Sequence, residues 1–263
     1  MSNPFNSPVS APQEFHVESL LVRVFSTQPE MARAAALSAR DVLRDALAGQ
    51  GAAAAIFAAA NSQAQSLDAL VALDGVDWSK LSMFHMDEYL GLDGNHRASF
   101  RRFLRERVEQ RVRPRVFHCI DGQAHQPEAE CERYARLLAA QPIDLCLLGI
   151  GENGHLAFND PHVANFSDPH AVKLVKLDEA SRQQQVGEGH FLNLAAVPQF
   201  AYTLTLPALC AARKMICIVP EGRKAQAVRD ALRGPVTTEC PASLLRRQPQ
   251  CILFLDADSA ALL

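Results

Sequence analysis

Residues 145–161 read LCLLGIGENGHLAFNDP, and this stretch carries the two signals that decide the fold. Its first four residues form a continuous apolar run, which is typical of a strand covered on both faces of a sheet. Three glycines, Gly149, Gly151 and Gly154, follow within six residues and predict a backbone that turns sharply or approaches a ligand closely. The segment is therefore predicted to be a buried strand that ends in a functional loop.

Similar apolar runs recur on both sides of this segment, and helical patterns separate them. Strands are predicted at residues 20–25, 53–59, 81–86, 116–119, 145–149, 172–176, 215–219 and 252–255. Helices are predicted at residues 30–48, 66–73, 99–111, 128–140, 224–232 and 242–245. This alternation predicts a Rossmann-like α/β fold, with a mostly parallel sheet and helices on both faces.

The composition indicates how the chain is organised and which partners it is unsuited to bind. Of the 263 residues, 48% are hydrophobic, which is enough to fill one sizeable core, so residues 16–263 are predicted to form a single domain. Residues 1–15 are rich in Pro, Ser and Asn and are predicted to form a flexible N-terminal arm. The net charge of −3 argues against a nucleic-acid or membrane partner.

The cysteines and the N-terminus indicate the compartment. Seven cysteines are scattered along the chain without a CxxC pair, so they are predicted to be reduced thiols rather than a disulfide framework or a zinc site. The first residues lack the basic and apolar regions of a signal peptide. A cytoplasmic location is therefore expected.

Ligands of open parallel sheets bind beyond the carboxyl ends of the strands, so the residues that follow each strand are the candidates for a site. Asn61, Ser62 and Gln63 follow the second predicted strand and open a helix. Backbone N–H groups in such a loop bind anions such as phosphate. The alternative is a simple helix cap by Asn61 or Ser62.

Two carboxylates, Asp87 and Glu88, follow the third predicted strand. Successive strand side chains point to opposite faces, so one carboxylate can enter a cleft while the other turns away to pair or to cap a helix. A carboxylate in a closed cleft can serve as a general base because its pKa is raised there. The alternative is a turn acid followed by a capping acid.

The glycine-rich loop carries a histidine, His155, and a carboxylate five residues further on, Asp160. An imidazole can move protons near neutral pH, and a neighbouring carboxylate can fix its tautomer. The alternative is a glycine turn with an incidental histidine. The glycine spacing also lacks the acidic residue that completes a dinucleotide fingerprint.

Two cations, Arg223 and Lys224, stand at the start of the helix predicted from residue 224. Positive charge at a helix N-terminus opposes the helix dipole, so this placement favours a bound phosphate as partner. The alternative is a pair of exposed cations on a loop.

Two of these segments together resemble the hallmark motifs of the glucosamine-6-phosphate deaminase/isomerase family. They are residues 84–92, FHMDEYLGL, and residues 148–161, LGIGENGHLAFNDP. Residues 222–225, GRKA, resemble the third, phosphate-contacting stretch of that family. The resemblance runs from about residue 53 to residue 256. The 6-phosphogluconolactonases share the fold and a related Gly-His loop.

The resemblance implies the roles of individual residues and no metal or organic cofactor. Asp87 matches the general base that moves a proton between adjacent sugar carbons, and His155 matches the histidine that assists ring opening. Asp160 takes the place of a glutamate that orients this histidine, and Asn153 stands where the deaminases usually have aspartate. Lys224 matches the lysine that contacts the substrate phosphate.

Further substrate contacts are expected from these three segments and from residues 61–63, which fall where the family has its phosphate loop. The residues concerned are Asn61, Ser62, Gln63, Glu88, Gly154 and Arg223. A family arginine that closes on the substrate falls near Gly187, and Arg182 is out of register with it.

The sequence is compatible with three functions. The first is deamination and aldose–ketose isomerisation of an amino sugar phosphate, glucosamine-6-phosphate to fructose-6-phosphate and ammonia, by an enzyme that we also class as a hydrolase. The second is hydrolysis of a sugar-phosphate lactone, which has no need of the Asp87–Glu88 pair. The third is a non-catalytic sugar-phosphate sensor. A small-molecule sugar phosphate is the expected partner in each, and a homo-oligomer is compatible with the resemblance.

Overall fold

The continuous apolar runs form the centre of the main sheet. The computed structural model describes residues 11–263. The strands are β1 Gln13–Val17, β2 Leu20–Phe25, β3 Ala53–Phe57, β4 Leu81–His85, β5 Asp87–Tyr89, β6 Val116–His118, β7 Leu145–Leu148, β8 Val172–Lys176, β9 Phe200–Leu204, β10 Lys214–Val219 and β11 Cys251–Asp256. The α-helices are α1 Gln28–Gln50, α2 Ala64–Val71, α3 Phe100–Leu104, α4 Gln110–Val112, α5 Pro127–Ala139, α6 Glu179–Gly187, α7 Leu206–Cys210 and α8 Ala225–Arg233.

The main sheet has eight strands in the order β1-β2-β11-β10-β7-β3-β4-β6. All of its neighbouring strands are parallel except β1, which pairs antiparallel with β2. The chain builds outward from β3 through β4 to β6, then returns to β7 and builds the other way through β10 and β11. The strand order therefore reverses between β3 and β7, and this switch point is where open α/β sheets bind ligands. The predicted Rossmann-like α/β class is confirmed.

The sheet is covered on both faces, as the apolar runs predicted. Along β3, Ala54 and Ile56 belong to one buried cluster, while Ala53, Ala55 and Phe57 belong to the cluster on the opposite face. Strand side chains alternate between faces, so a five-residue strand with every residue buried must have helices on both sides. This double cover holds the carboxyl ends of β3 and β7 in place beneath the site.

Capping residues define both ends of helix α1. Thr27 caps its N-terminus by accepting from the N–H of Glu30, and Pro29 lies in its first turn. Gly51 ends it with a left-handed φ of 76°, and its N–H donates to the carbonyl of Leu47. The helix is longer than predicted by two residues at each end.

A second, three-stranded antiparallel sheet has the order β5-β9-β8. The apolar run of β8 predicted one more strand of the alternating α/β pattern, and this placement is wrong. Strands β5 and β9 were not predicted. A strand as short as β5 has no visible periodicity, and its residues are two carboxylates and a tyrosine.

Other elements differ from the prediction in detail. The helix predicted at residues 99–111 is divided into α3, a π turn at Arg105–Glu109, and α4. The stretch at residues 242–245 lies within a 3-10 helix, Pro241–Arg247. Helices α6 and α7 were not predicted.

The predicted N-terminal arm is partly wrong. Residues 1–10 lie outside the described part of the chain, but residues 13–15 belong to β1, which pairs along β2 from Gln13 opposite Val24. The alternating sequence of this edge strand was hidden by the neighbouring Pro and Ser residues.

All seven cysteines are free thiols. None of the helices described between residues 11 and 263 has the length and apolarity that crossing a bilayer requires.

Candidate active site

A cleft opens at the switch point and gathers the loops that follow β3, β4, β7 and β10. Its volume is about 570 Å³, including its open mouth. Five of the predicted site residues line it together: Ser62, Gln63, Asp87, His155 and Lys224. These residues come from four separate segments of the chain, so the fold brings a carboxylate, an imidazole and a cation to one cavity.

Asp87 reaches the cleft from the small antiparallel sheet. It begins β5, where it lies opposite Thr203 of β9. It is only 8% exposed, and no described residue donates a hydrogen bond to its carboxylate. Burial raises the pKa of Asp87 well above its ordinary value, and the nearby charge of Glu88 raises the pKa further. A carboxyl group with these properties is suited to exchange a proton with a ligand.

Glu88 turns to the opposite side of β5 and caps the start of α3. One carboxylate oxygen, Oε2, accepts from the hydroxyl of Ser99 at 2.7 Å and from the N–H of Arg101 at 3.0 Å. The other, Oε1, accepts from the N–H groups of Tyr89 at 3.0 Å and Phe100 at 3.3 Å. These four donors leave Glu88 buried away from the cleft. The predicted substrate contact by Glu88 is therefore wrong, and the capping alternative describes this residue.

His155 lies in the cleft wall, backed by two polar side chains. Its Nδ1 lies 2.7 Å from Oδ1 of Asn153 and 3.2 Å from Oδ1 of Asp160. Burial alone would raise the pKa of Asp160, but hydrogen bonding to the imidazole and to its other donors lowers the pKa well below the ordinary value. Asp160 is therefore an ionised, fully buried carboxylate behind the imidazole.

The hydrogen bonds around Asn153 determine the tautomer of His155. Nδ2 of Asn153 donates to Oδ1 of Asp160 at 3.1 Å. Oδ1 of Asn153 must therefore be the atom that faces the histidine. This amide oxygen accepts from the backbone N–H of His155 at 3.1 Å and lies 2.7 Å from its Nδ1. An amide oxygen can only accept, so Nδ1 carries the proton. The lone pair of Nε2 is then free, and no described residue donates to it.

Gly154 does not face the cleft, which is contrary to the predicted substrate contact. It adopts a left-handed φ of 82°, and a Cβ there would lie 2.8 Å from Sγ of Cys240. Its carbonyl accepts from the N–H of Ala242 at 2.8 Å. Gly154 thus joins the histidine loop to the 3-10 helix at Pro241–Arg247.

Lys224 is a buried cation whose ammonium has no partner among the described residues. Only 3% of the residue is exposed, and neither a hydrogen bond nor an ion pair joins its ammonium to any residue in the described range 11–263. Burial lowers its pKa to about 8, although the charges of Glu188 and Glu152 oppose this shift. An unpaired buried ammonium at the edge of a cleft is suited to bind an anion.

Arg223, in contrast, is already engaged by three carboxylates. It contacts Glu221 at 2.6 Å, Glu152 at 3.0 Å and Glu188 at 3.2 Å. Its side chain does not line the cleft. The predicted phosphate contact by Arg223 is therefore not made in this arrangement, because these acids satisfy the guanidinium.

The predicted phosphate loop forms a 3-10 turn, Asn61–Gln63, that leads into α2. Ser62 and Gln63 line the cleft, and Nε2 of Gln63 donates to the carbonyl of Ile218 at 3.0 Å. Asn61 is exposed and its amide donates to the carbonyl of Glu188 at 3.4 Å. Neither Asn61 nor Ser62 makes the side-chain cap that was the alternative.

Helix α6 and the residue that follows it cover the cleft, and they were not predicted as part of the site apart from the family arginine expected near Gly187. Gln184, Gln185 and Glu188 line the cavity. Burial would raise the pKa of Glu188, but hydrogen bonds from His190 and Gln184, with nearby cations, lower it to about 2. The other sequence signal was Asp178, which caps α6. In the described range, no group of three or more His, Cys, Asp or Glu residues is arranged to hold a metal ion.

A Rossmann-like sheet with an acid–base cleft at its switch point defines the chain as an α/β enzyme. Its residues 26–253 match the family described as glucosamine-6-phosphate isomerases/6-phosphogluconolactonase, and the chain belongs to that family. It is 35% identical to a glucosamine-6-phosphate deaminase of Exiguobacterium sibiricum over 190 residues, which are 72% of this chain and 73% of the relative. A glucosamine-6-phosphate deaminase of Listeria monocytogenes is 32% identical over 205 residues, covering 78% of this chain and 86% of the relative.

Solved structures show the same architecture. A monomeric glucosamine-6-phosphate deaminase superimposes with a TM-score of 0.85 at 26% identity, covering 92% of this chain and 99% of that one. A 6-phosphogluconolactonase from Shewanella baltica superimposes with a TM-score of 0.77 at 19% identity, covering 92% of this chain and all of that one, which shows a shared fold. These comparisons support a deaminase/isomerase rather than the hydrolase class that the sequence analysis also gave.

Proposed function

We propose that this enzyme converts glucosamine-6-phosphate and water into fructose-6-phosphate and ammonia. The observation that carries the proposal is the convergence of Asp87, His155 and Lys224 on one cleft. An aldose–ketose isomerisation needs a base for a carbon-bound proton, a second group for ring opening and a site for the phosphate. The three side chains are of the types that these tasks require.

Lys224 and the N-terminal turns of α2 and α8 hold the phosphate in this proposal. The ammonium supplies a full positive charge, and the two helix starts supply partial charges and N–H donors. The sugar then extends from this anchored end towards His155 and Asp87. Because binding energy at the phosphate is remote from the reacting atoms, it serves to orient the sugar.

The free Nε2 of His155 opens the ring. It accepts the proton of the C1 hydroxyl and returns a proton to the ring oxygen, which gives the open-chain aldehyde. The ionised Asp160 stabilises the imidazolium that forms between these steps. Asn153 assists by orientation alone because its amide carries no charge.

Asp87 then moves a proton between neighbouring carbons. It removes the proton at C2 and delivers it to C1 through an enediol-type intermediate that bears the C1 oxygen and the C2 amine. The C1 oxygen gains a proton and the nitrogen gives one up in the same isomerisation, so the amine-bearing carbon becomes an imine. Addition of water to this carbon and loss of ammonia give the ketose. A buried carboxyl with a raised pKa is poised for both halves of this transfer.

One assay separates this proposal from its rivals. Ammonia release from glucosamine-6-phosphate is measured beside acid release from 6-phosphogluconolactone, with the same enzyme preparation. The deaminase proposal predicts the first activity. Acid release alone would establish the lactonase alternative, and tight binding of hexosamine phosphates with no turnover would establish the sensor. The cytoplasmic location and the homo-oligomer remain predictions from the sequence.

A further inference from the structure

Ser181 of α6 contacts both members of the histidine–carboxylate pair. Its Oγ lies 3.0 Å from Nδ1 of His155 and makes a short hydrogen bond to Oδ1 of Asp160. The residue is 3% exposed, so water does not substitute for these contacts. No sequence motif pointed to it, since it lies 26 residues from the histidine.

The direction of each hydrogen bond follows from the partners. An ionised carboxylate can only accept, so the single hydroxyl proton of Ser181 is donated to Asp160. A lone pair of the same Oγ then faces the protonated Nδ1 of His155. Ser181 thus donates to the carboxylate and, as a second acceptor beside Oδ1 of Asn153, shares the Nδ1 proton of His155. Its hydrogen bond also contributes to the lowered pKa of Asp160.

Helix α6 carries these contacts together with part of the cleft wall. Gln184 and Gln185 are on the same helix, and both line the cavity. The N–H of Asp178, the residue that caps this helix, donates to the other oxygen of Asp160 at 3.0 Å. The position of α6 therefore sets the shape of the cleft and the hydrogen bonding of the pair behind it.

We propose that Ser181 is a positioning residue that makes helix α6 part of the proton-transfer apparatus. From the helix that covers the cleft, its hydroxyl holds Asp160 and the imidazole of His155 in position relative to each other. The expected effect of Ser181 on kcat rests on the proposed function. The structural part of the inference concerns His155 itself and does not depend on the identity of the substrate.

The kinetic test replaces Ser181 by alanine, which removes the hydroxyl without adding volume. Ser181→Ala is expected to lower kcat for ammonia release about 10- to 100-fold, as the loss of a hydrogen bond to a charged group requires. KM is expected to change less than about twofold because the residue touches no substrate. Gln183→Ala, on the exposed side of the same helix, is the matched control and should leave both constants unchanged.

A double-mutant cycle shows whether Ser181 acts through its partner. In the Asp160→Asn background, the further change Ser181→Ala is expected to lower kcat less than about threefold, because the interaction is already broken. A full additive loss would overturn the proposal. So would an unchanged kcat in the single variant.

A measurement without substrate distinguishes failure of this inference from failure of the proposed function. In ¹⁵N-histidine-labelled enzyme, exchange of the Nδ1 proton of His155 with water is followed by NMR. Ser181→Ala is expected to accelerate this exchange more than about tenfold over wild type and Gln183→Ala. Unchanged exchange would overturn the positioning role. Accelerated exchange in an enzyme that releases no ammonia would support it while refuting the deaminase.

Discussion

The imidazole of His155 lies directly against the backbone of Gly151. A Cβ built on Gly151 would fall 2.1 Å from Cε1 and 2.2 Å from Nε2 of the ring. Real Cβ atoms do not approach other heavy atoms this closely. The N–H of Gly151 also donates to the carbonyl of His155 at 2.9 Å, which closes the loop tightly around the ring. Absence of a side chain at residue 151 is therefore what admits the imidazole to the cleft.

Gly151→Ala should consequently displace the imidazole from its network. Misplacing a reacting group by about 1 Å costs on the order of 10²-fold in rate, and we expect a loss of kcat of about that size. Gly49→Ala is the control, because a Cβ there meets nothing within 4 Å. Steady-state kinetics of the two variants checks this expectation, and equal kcat values would contradict it.

Asp87→Asn should abolish turnover while leaving substrate binding largely intact. Asparagine keeps the shape but cannot accept the carbon-bound proton, and general bases contribute about 10²- to 10⁴-fold to rate. Turnover is measured as ammonia release and binding by calorimetry. Asp74→Asn, at an exposed aspartate, is the control. Equal turnover of Asp87→Asn and wild type would refute the role of Asp87 as base.

The sequence predicted the main sheet well because its strands are covered on both faces. In β3 and β7 every residue is buried, so an uninterrupted apolar run was enough to identify each strand. The carboxyl-end rule then located Asp87, His155 and Lys224. It could not locate Ser181 or Glu188, because these belong to a segment whose place over the cleft is set by tertiary packing. The same rule gave no indication that nearby acidic residues form ion pairs with Arg223.

Phosphate affinity should depend on the protonation of Lys224. Burial lowers its pKa to about 8, so the ammonium is present below that pH and is lost as the pH rises through it. A phosphate monoester gains its second charge above about pH 6, so binding should be strongest between about 6 and 8. Above pH 8, binding should take up a proton, because the anion favours the charged lysine.

Calorimetry with inorganic phosphate, in buffers of different ionisation enthalpy, measures that proton uptake. Lys224→Met should abolish the uptake and raise KM for the sugar phosphate about 10- to 100-fold. Lys176→Met, at an exposed lysine, should do neither. Proton uptake that persists in Lys224→Met would assign it to another group.

Glu88→Gln should affect both stability and the pH profile. An amide presents one acceptor oxygen where the carboxylate presents two, so some of the donors at the start of α3 lose their partner. The expected cost in free energy of unfolding is about 1–3 kcal/mol. Since the charge of Glu88 raises the pKa of Asp87, the acid limb of kcat/KM should also move to lower pH.

Denaturant unfolding and a pH–rate profile measure these two effects. The acid limb of the wild-type profile should lie above 3.8, the ordinary pKa of an aspartate, because Asp87 must ionise to act as base. A profile that does not shift in Glu88→Gln would show that burial alone sets the pKa of Asp87.

Asp87 and His155 are carried by different parts of the fold. Asp87 begins β5 of the antiparallel sheet, whereas His155 and Lys224 follow strands of the parallel sheet. In the proposed mechanism, substitutions confined to the smaller sheet can therefore reposition or remove the base without changing the residues proposed to bind the phosphate. One scaffold can in this way support more than one reaction, and a glucosamine-6-phosphate deaminase and a 6-phosphogluconolactonase both share this fold.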